Sequence, residues 1–351
     1  MQIVRSKAPL RLGLAGGGTD VSPFCDIYGG QTLNATITRY AHCTLIPQNT
    51  GEIQICQLGD ESSREVLDAI PVLDLLGVNV LAKAVYNRVV ADFNRSRPLS
   101  LTITTSSDAP PGSGLGSSST LIVAMLRAYC ELLMIRLSEY EIASLAYQIE
   151  RSDLGQKGGH QDQYTAAFGG INYMEFAADN RVLVNPLRVK DWIVSELEAS
   201  ILLYYSSVSR FSSAIIDEQI KSVDRKDEHS INATLQLKTD ALAMKEALLT
   251  GRIRQVADIL GRSWEAKKQM ASCITNAALD DIMERAKAAG AYSGKVSGAG
   301  GGGFVMLMID PLKRVQIESA LSDLPGYFVP FQFEQKGAHA WSVQRGPLGT
   351  I

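Results

Sequence analysis

The sequence is poor in the features that would mark it for several common classes. It has five cysteines in 351 residues, at positions 25, 43, 56, 130 and 273, odd in number, scattered and with no C-x-x-C pair. A disulfide framework and a structural zinc site are therefore not expected, and a reducing cytoplasm is the natural compartment. There is no surplus of either charge: the formal net charge is −3 and the isoelectric point near 5.9. That gives no electrostatic case for nucleic acid. No apolar run approaches a membrane span, and the opening Met1-Gln-Ile-Val-Arg-Ser-Lys7 lacks an apolar signal core. No internal repeat or low-complexity tract is visible. The expected partners thus include neither nucleic acid nor membrane.

What is present is the composition of an ordinary globular protein, 46% hydrophobic and 20% charged, long enough for two domains with good cores. The most informative stretch is Pro110-Pro-Gly-Ser-Gly-Leu-Gly-Ser-Ser-Ser-Thr120. An alternating run from Leu99 to Thr105 reads as a strand before it, and an apolar run from Leu121 to Leu133 as a buried helix after it. Glycines let backbone N–H groups approach an anion closely, and the first turn of the helix adds unpaired N–H groups with positive partial charge. The alternative is a plain glycine turn with a serine cap, which the run of four hydroxyl residues disfavours. The loop is not a Walker A motif, since no Gly-Lys-Ser/Thr follows. A second glycine run, Gly298-Ala-Gly-Gly-Gly-Gly303, meets G-x-G-x-x-G as a pattern, but a strand follows it, so the dinucleotide-binding context is missing.

Other elements are read from pattern. Strands are expected at residues 7–15, 31–47, 52–58, 171–176, 201–205, 292–297, 304–309 and 326–333. Helices are expected at 76–94, at 138–151 with Ser138 and Glu141 as a capping box, at 160–168, and at 213–222, 231–249, 253–270, 276–289 and 311–322. The fold class is α+β, with a domain boundary near 190: residues 1–190 form the first domain, and 191–351 the second, with a mostly antiparallel sheet. Arg11 lies in an apolar strand, where a charge needs a partner or a function. Asp162 is either a cap for the short helix at 160–168 or a functional acid, and an Arg11–Asp162 ion pair satisfies both. Glu150 is either a solvated helix-end acid or a hard-oxygen ligand for Mg2+ beside the serine loop.

The Pro110 to Ser119 stretch resembles the second motif of the GHMP kinases, the superfamily of galactokinase, homoserine kinase, mevalonate kinase and phosphomevalonate kinase. Ala8-Pro-Leu-Arg11 with Gly16-Gly-Gly-Thr-Asp20 is similar to the first motif, and Lys295-Val-Ser-Gly-Ala-Gly-Gly-Gly-Gly-Phe304 to the third. The resemblance covers nearly the whole chain. It implies the two-domain GHMP kinase fold: an N-terminal domain like domain 2 of ribosomal protein S5, and a ferredoxin-like C-terminal domain, with ATP and substrate between them. It further implies ATP binding by Pro111, Gly112, Ser113, Gly114, Leu115, Gly116, Ser117, Ser118 and Ser119. Ser118 and Glu150 become Mg2+ ligands, Asp162 and Arg11 catalytic residues, and Asp20 with Gly17, Gly18, Thr19 and Gln161 the holders of sugar hydroxyls.

Galactokinase's Glu-His is replaced here by Gly17-Gly18, which argues against galactose. The stretches from Gly16 to Gly30 and from Lys157 to Tyr164 look most like bacterial kinases of D-glycero-D-manno-heptose 7-phosphate. Those enzymes phosphorylate the anomeric hydroxyl to give the 1,7-bisphosphate on the way to GDP-heptose and surface polysaccharide. Fucokinases and other unphosphorylated-sugar 1-kinases are the alternative, and a non-catalytic sugar sensor is an alternative of another class. A phosphorylated sugar needs a second anion site. Lys157 and His160, beside Asp162, are the first candidates, and Arg210 and Lys267 or Lys268 are others. The turn containing Gly300 either closes over substrate or serves tight strand packing alone. A homodimer is left open.

Overall fold

In a computed structural model, the described residues are 2–208, 212–271 and 273–344, so Arg210 lies outside them. The first part of the chain builds one large sheet from β1 (Gln2–Ala15), β2 (Gly30–Pro47), β3 (Glu52–Gln57), β4 (Asp60–Asp68) and β5 (Leu101–Ser107), joined by β6 (Ile171–Ala177) and β7 (Arg181–Pro186). The long β2 is its hub, pairing antiparallel with β1, β5 and β6. Helices α1 (Phe24–Tyr28), α2 (Val80–Phe93), α3 (Ser117–Leu132), α4 (Glu139–Gln148) and α5 (Gln161–Phe168) complete this part. One core joins Val4, Ala8, Cys43 and Leu45 on the sheet to Val85, Val89, Ile122 and Met125 on α2 and α3.

The second part begins with α6 (Asp191–Ser200) and β8 (Ile201–Tyr205). It continues through α7 (Ser212–Asp224), α8 (Glu228–Leu249), α9 (Ile253–Lys268) and α10 (Ala277–Ala288) to β9 (Ser293–Val296), β10 (Phe304–Met308), α11 (Arg314–Ala320) and β11 (Tyr327–Phe328). Its sheet has the order β11-β8-β10-β9, all pairs antiparallel. The last strand, β12 (His339–Gln344), crosses back and pairs antiparallel with β1. The strands therefore do not divide in sequence order at 190/191, because the end of the chain completes the first sheet.

Both faces of β1 are covered. Val4 and Ala8 face α3, whereas Leu10, Leu12 and Leu14 pack with Ala241 and Met244 of α8 and Ala257 and Leu260 of α9. The alternation of Leu10, Leu12 and Leu14 is thus half of the seam between the two parts, with buried area as its main stabilising term.

The elements differ from expectation in several places, with β7, α6 and β12 falling where no element was expected. β4 has a charged pattern, Asp60-Glu-Ser-Ser-Arg-Glu-Val-Leu-Asp68, and its residues are largely exposed because only β3 pairs with it; an edge strand of this kind carries no apolar alternation to read. The strand expected at 326–333 shrinks to Tyr327–Phe328, and Phe333 makes only an isolated bridge to Ile37. α3 begins at Ser117, inside the glycine and serine loop. The capping box at Ser138 and Glu141 is present, with Ser138 Oγ accepting from Glu141 N and Glu141 Oε2 accepting from Ser138 N at 2.7 Å.

The two glycine runs meet backbone to backbone. Phe304 N donates to Ser113 O at 3.0 Å, and a Cβ on Gly303 (φ +85°) would lie 2.3 Å from that same oxygen. A Gly303→Ala substitution meets both a steric and a backbone obstacle, and is expected to cost roughly 1 kcal/mol or more. A fall of the thermal midpoint checks this, and an unchanged midpoint contradicts it.

Candidate active site

Between the two parts lies a cleft of about 760 Å³, lined by residues 107–114 and 116–119, the 156–159 loop, Asp20, Gln161, Asp162, Lys267 and residues 298–300. Three local features build its walls. The first is the glycine loop, whose Gly112, Gly114 and Gly116 have φ of +73°, +79° and +77°. It turns the chain into α3 so that the helix N-terminus and Ser117, Ser118 and Ser119 border the cleft. The Leu115 side chain is fully buried in the core, and its carbonyl accepts from Arg11 N, so only its backbone is left for a ligand.

The second feature is a π-helical turn, Ile149–Asp153, continuing α4. The widened turn buries Glu150, which is 2% exposed. Its carboxylate accepts from Ser118 Oγ at 2.8 Å, Ser119 Oγ at 2.6 Å and Gln163 Nε2 at 2.7 Å, with Arg151 Nη2 at 3.5 Å. A solvated helix-end acid is therefore excluded. Gln163 and Arg151 escaped the sequence reading, since neither type is distinctive at a helix end.

The third feature is the start of α5. Asp162 sits in its first turn, where the helix dipole favours a carboxylate. Arg11 grips one oxygen of Asp162 with Nε at 2.8 Å and Nη2 at 2.7 Å, so the expected pair is present. Arg11 Nη1 donates to Gly114 O at 2.7 Å and reaches Ser297 Oγ at 3.4 Å. Asp20 is fully buried and accepts from Gln161 N at 3.0 Å, Gln161 Nε2 at 2.9 Å and Gly18 N at 3.2 Å. Burial raises its pKa, with the Asp162 charge adding to the effect. Gly159 lies flat against this centre, where a Cβ would fall 1.9 Å from Asp20 Oδ2, and Gly158 lies against the Arg151 guanidinium, where a Cβ would fall 2.4 Å from Cζ.

Several expected residues sit elsewhere. His160 does not line the cleft. It is 3% exposed, its ring stacks on Tyr147 at 3.8 Å between centroids, and Phe176 is on its other side at 6.0 Å. Burial, helped by Arg151, pushes its pKa down to about 4, so it is neutral and unsuited to anchor a phosphate. Thr19 is also buried off the cleft, exchanging hydrogen bonds with the backbone of Gln31; it fixes the turn rather than a ligand. Gly17 is not in the lining, but a Cβ there would lie 3.7 Å from Lys267 Nζ. Gly18 and Gly300 border the cleft. Lys157 borders it too, but is half exposed and ion-paired with Asp217 of α7. Lys268 faces outward and pairs with Glu265 at 2.8 Å. Lys267, by contrast, is 2% exposed and lines the cleft. Lys295 is buried behind it, donating to Gly13 O at 2.9 Å.

The arrangement juxtaposes an anion cradle, a buried carboxylate with hydroxyl partners, a second carboxylate gripped by a guanidinium, and a third carboxylate on a tight turn. Among the described residues no cluster of three or more His, Cys, Asp or Glu side chains suited to a metal is present. Glu150 and Ser118 nevertheless offer hard oxygen donors at the cleft edge. No helix is long and apolar enough to cross a membrane among the described residues.

Residues 80–170 match the family model described as the GHMP kinases N terminal domain, and residues 244–325 the one described as GHMP kinases C terminal. The chain is 47% identical over 343 residues to D-glycero-alpha-D-manno-heptose 7-phosphate kinase of Campylobacter jejuni, covering 98% of this chain and all of that one. The bifunctional L-fucokinase/L-fucose-1-P guanylyltransferase of Bacteroides fragilis is 27% identical over 92% of this chain and 36% of its own length. Among solved structures, a D-glycero-D-manno-heptose 1-phosphate kinase from Bacteroides thetaiotaomicron superposes with a TM-score of 0.82 at 45% identity, covering 97% of this chain and 99% of that one. Galactokinase of Lactococcus lactis, at 16% identity and a TM-score of 0.77, shares the fold. With both family domains matched and a relative at 47% identity aligned along essentially its full length, the chain belongs to the GHMP kinases.

Proposed function

We propose that the protein is an ATP-dependent sugar kinase that transfers a phosphoryl group to the anomeric hydroxyl of D-glycero-D-manno-heptose 7-phosphate, giving the 1,7-bisphosphate. The observation that carries the reaction type is the Arg11–Asp162 pair standing in one cleft with the glycine and serine loop and Glu150. The acceptor follows from the 47% identity to the Campylobacter jejuni enzyme. The names of the two heptose kinase relatives put the phosphate at different carbons. A kinase acting at the anomeric oxygen consumes the 7-phosphate, since a 1-phosphate leaves no free hydroxyl there.

In this reading the N-terminus of α3 and the backbone of residues 112–116 hold the ATP phosphates. Ser118 and Glu150 would hold Mg2+, and Gln163 and Ser119 keep the Glu150 carboxylate turned toward it. A cation held there would neutralise negative charge on the ATP phosphates. Asp20 fixes sugar hydroxyls at the base of the cleft, oriented by Gln161. Asp162 faces the anomeric hydroxyl and takes its proton as the oxygen attacks the γ-phosphorus. Arg11 fixes the position of the Asp162 carboxylate through Nε and Nη2. An anomeric hydroxyl is more acidic than an ordinary alcohol, so a carboxylate suffices as base.

A coupled assay with ATP and Mg2+ against heptose 7-phosphate, mannose, fucose and galactose tests the acceptor. Turnover confined to heptose 7-phosphate is expected; preferential turnover of fucose would favour the fucokinase reading. Asp162→Asn is expected to lower kcat by about 10² to 10⁴-fold, with near-wild-type kcat refuting the base assignment. Glu150→Gln is expected to raise the Mg2+ concentration needed for half-maximal rate, and an unchanged Mg2+ titration would remove Glu150 from the metal.

A further inference from the structure

Arg11 has little left to give to a phosphoryl group. Of its five N–H donors, Nε and one Nη2 proton are held by Asp162, and Nη1 is engaged by Gly114 O and Ser297 Oγ. Its charge is matched by the Asp162 carboxylate against it. Lys267 is the opposite case. It enters the same cleft from α9 and is 2% exposed. Its Nζ donates a hydrogen bond to Gly298 O, and it makes no ion pair among the described residues. An ammonium carries three donors, so two remain. The Nζ lies close to the Gly17 turn, 3.7 Å from where a Cβ on Gly17 would stand. Gly298 itself packs on the backbone of Gly114 in the phosphate loop, its own Cβ position 2.6 Å from Gly114 Cα. The lysine is thereby fixed between the loop assigned above to ATP and the turn assigned to the sugar. A buried cation without a carboxylate partner is costly, and such groups concentrate where a ligand supplies the missing charge.

The geometry points to Lys267 as a further catalytic residue, an ammonium from the second part of the chain that contacts the transferring phosphoryl group and offsets the charge developing on its oxygens. This deepens the sugar kinase reading and rests on it. In the step, the anomeric oxygen bonds the γ-phosphorus and its proton passes to Asp162. The bond from phosphorus to the bridging oxygen breaks, and its electron pair leaves on ADP. Lys267 stays protonated throughout and stabilises the equatorial oxygens.

The charged groups facing it are Arg11 on β1, Asp20 on the turn, Asp162 on α5 and Lys295 on β9. Burial, with Arg11 adding, pulls the Lys267 pKa down to about 8, while Asp20 and Asp162 act the other way. The free enzyme is therefore mostly protonated at neutral pH and loses the charge as pH rises through about 8.

The test compares wild type, Lys267→Met and Lys267→Arg as ratios, on whichever acceptor the wild type turns over, so that a wrong acceptor does not confound it. Lys267→Met is expected to lower kcat by about 10²-fold, with the acceptor KM little changed. Lys267→Arg is expected to restore part of the rate and to move the alkaline limb of kcat/KM upward, since arginine does not deprotonate there. Unaltered kcat in the Met variant overturns the inference. So does a raised KM for the phosphorylated acceptor alone, which would make Lys267 an anchor for the sugar's own phosphate. If the Met variant fails to fold, the Arg variant decides: an alkaline limb unmoved from wild type overturns it.

Discussion

A guanidinium buried at 4% exposure is tolerable only if every face of it is met, and the way Arg11 is met organises the active site. Its partners come from three separate parts of the chain. Asp162 belongs to α5, Gly114 to the loop before α3, and Ser297 to the turn after β9. The glycine and serine loop, α5 and the second part of the chain are thus held in register by one side chain. Ser297 Oγ also donates to Gly114 O at 2.9 Å, so the same carbonyl is shared by both halves.

Around that centre the two parts of the molecule are joined by two contacts of different kinds. Apolar seams, with Leu10, Leu12 and Leu14 against α8 and α9, supply area without direction. The glycine runs supply direction, because Ser113, Gly114, Gly298 and Gly303 meet through backbone atoms at distances no side chain would permit. The cleft is formed where the apolar seam ends and the backbone contact begins. Its polarity follows from the mouths of these elements: helix N-termini, serine hydroxyls and carbonyl oxygens.

The carboxylates in the cleft are differentiated by their neighbours. Asp162 is gripped by Arg11, Glu150 faces hydroxyls and an amide with Arg151 farther off at 3.5 Å, and Asp20 faces amides and is buried completely. Three acids of similar intrinsic strength thus receive three environments, which is what a site needs if one is to accept a proton, one to meet a metal and one to hold hydroxyls.

Much of this was legible in the sequence. Regular elements with strong periodicity, the capping box at Ser138, the turn from the glycine and serine loop into α3 and the Arg11–Asp162 pair all follow from local pattern or from the cost of a charge in an apolar strand. β4 was not legible, since the covered face of this edge strand carries Ser63, Glu65 and Leu67 and so shows no apolar alternation, and neither was the return of β12 to β1, which depends on pairing across more than three hundred residues. The sequence alone ranked the cations only by nearness along the chain to Asp162, with Lys157 and His160 ahead of Lys267 and Lys268. Tertiary packing stacked His160 on Tyr147, paired Lys157 with Asp217 and Lys268 with Glu265, and turned Lys267 inward to the cleft. The sequence by itself determined which chemistry the chain carries, because spacing along one element sets what a loop or helix turn can present. Which charged groups meet at the cleft was decided only by the fold, because burial and partner choice are set by residues distant along the chain.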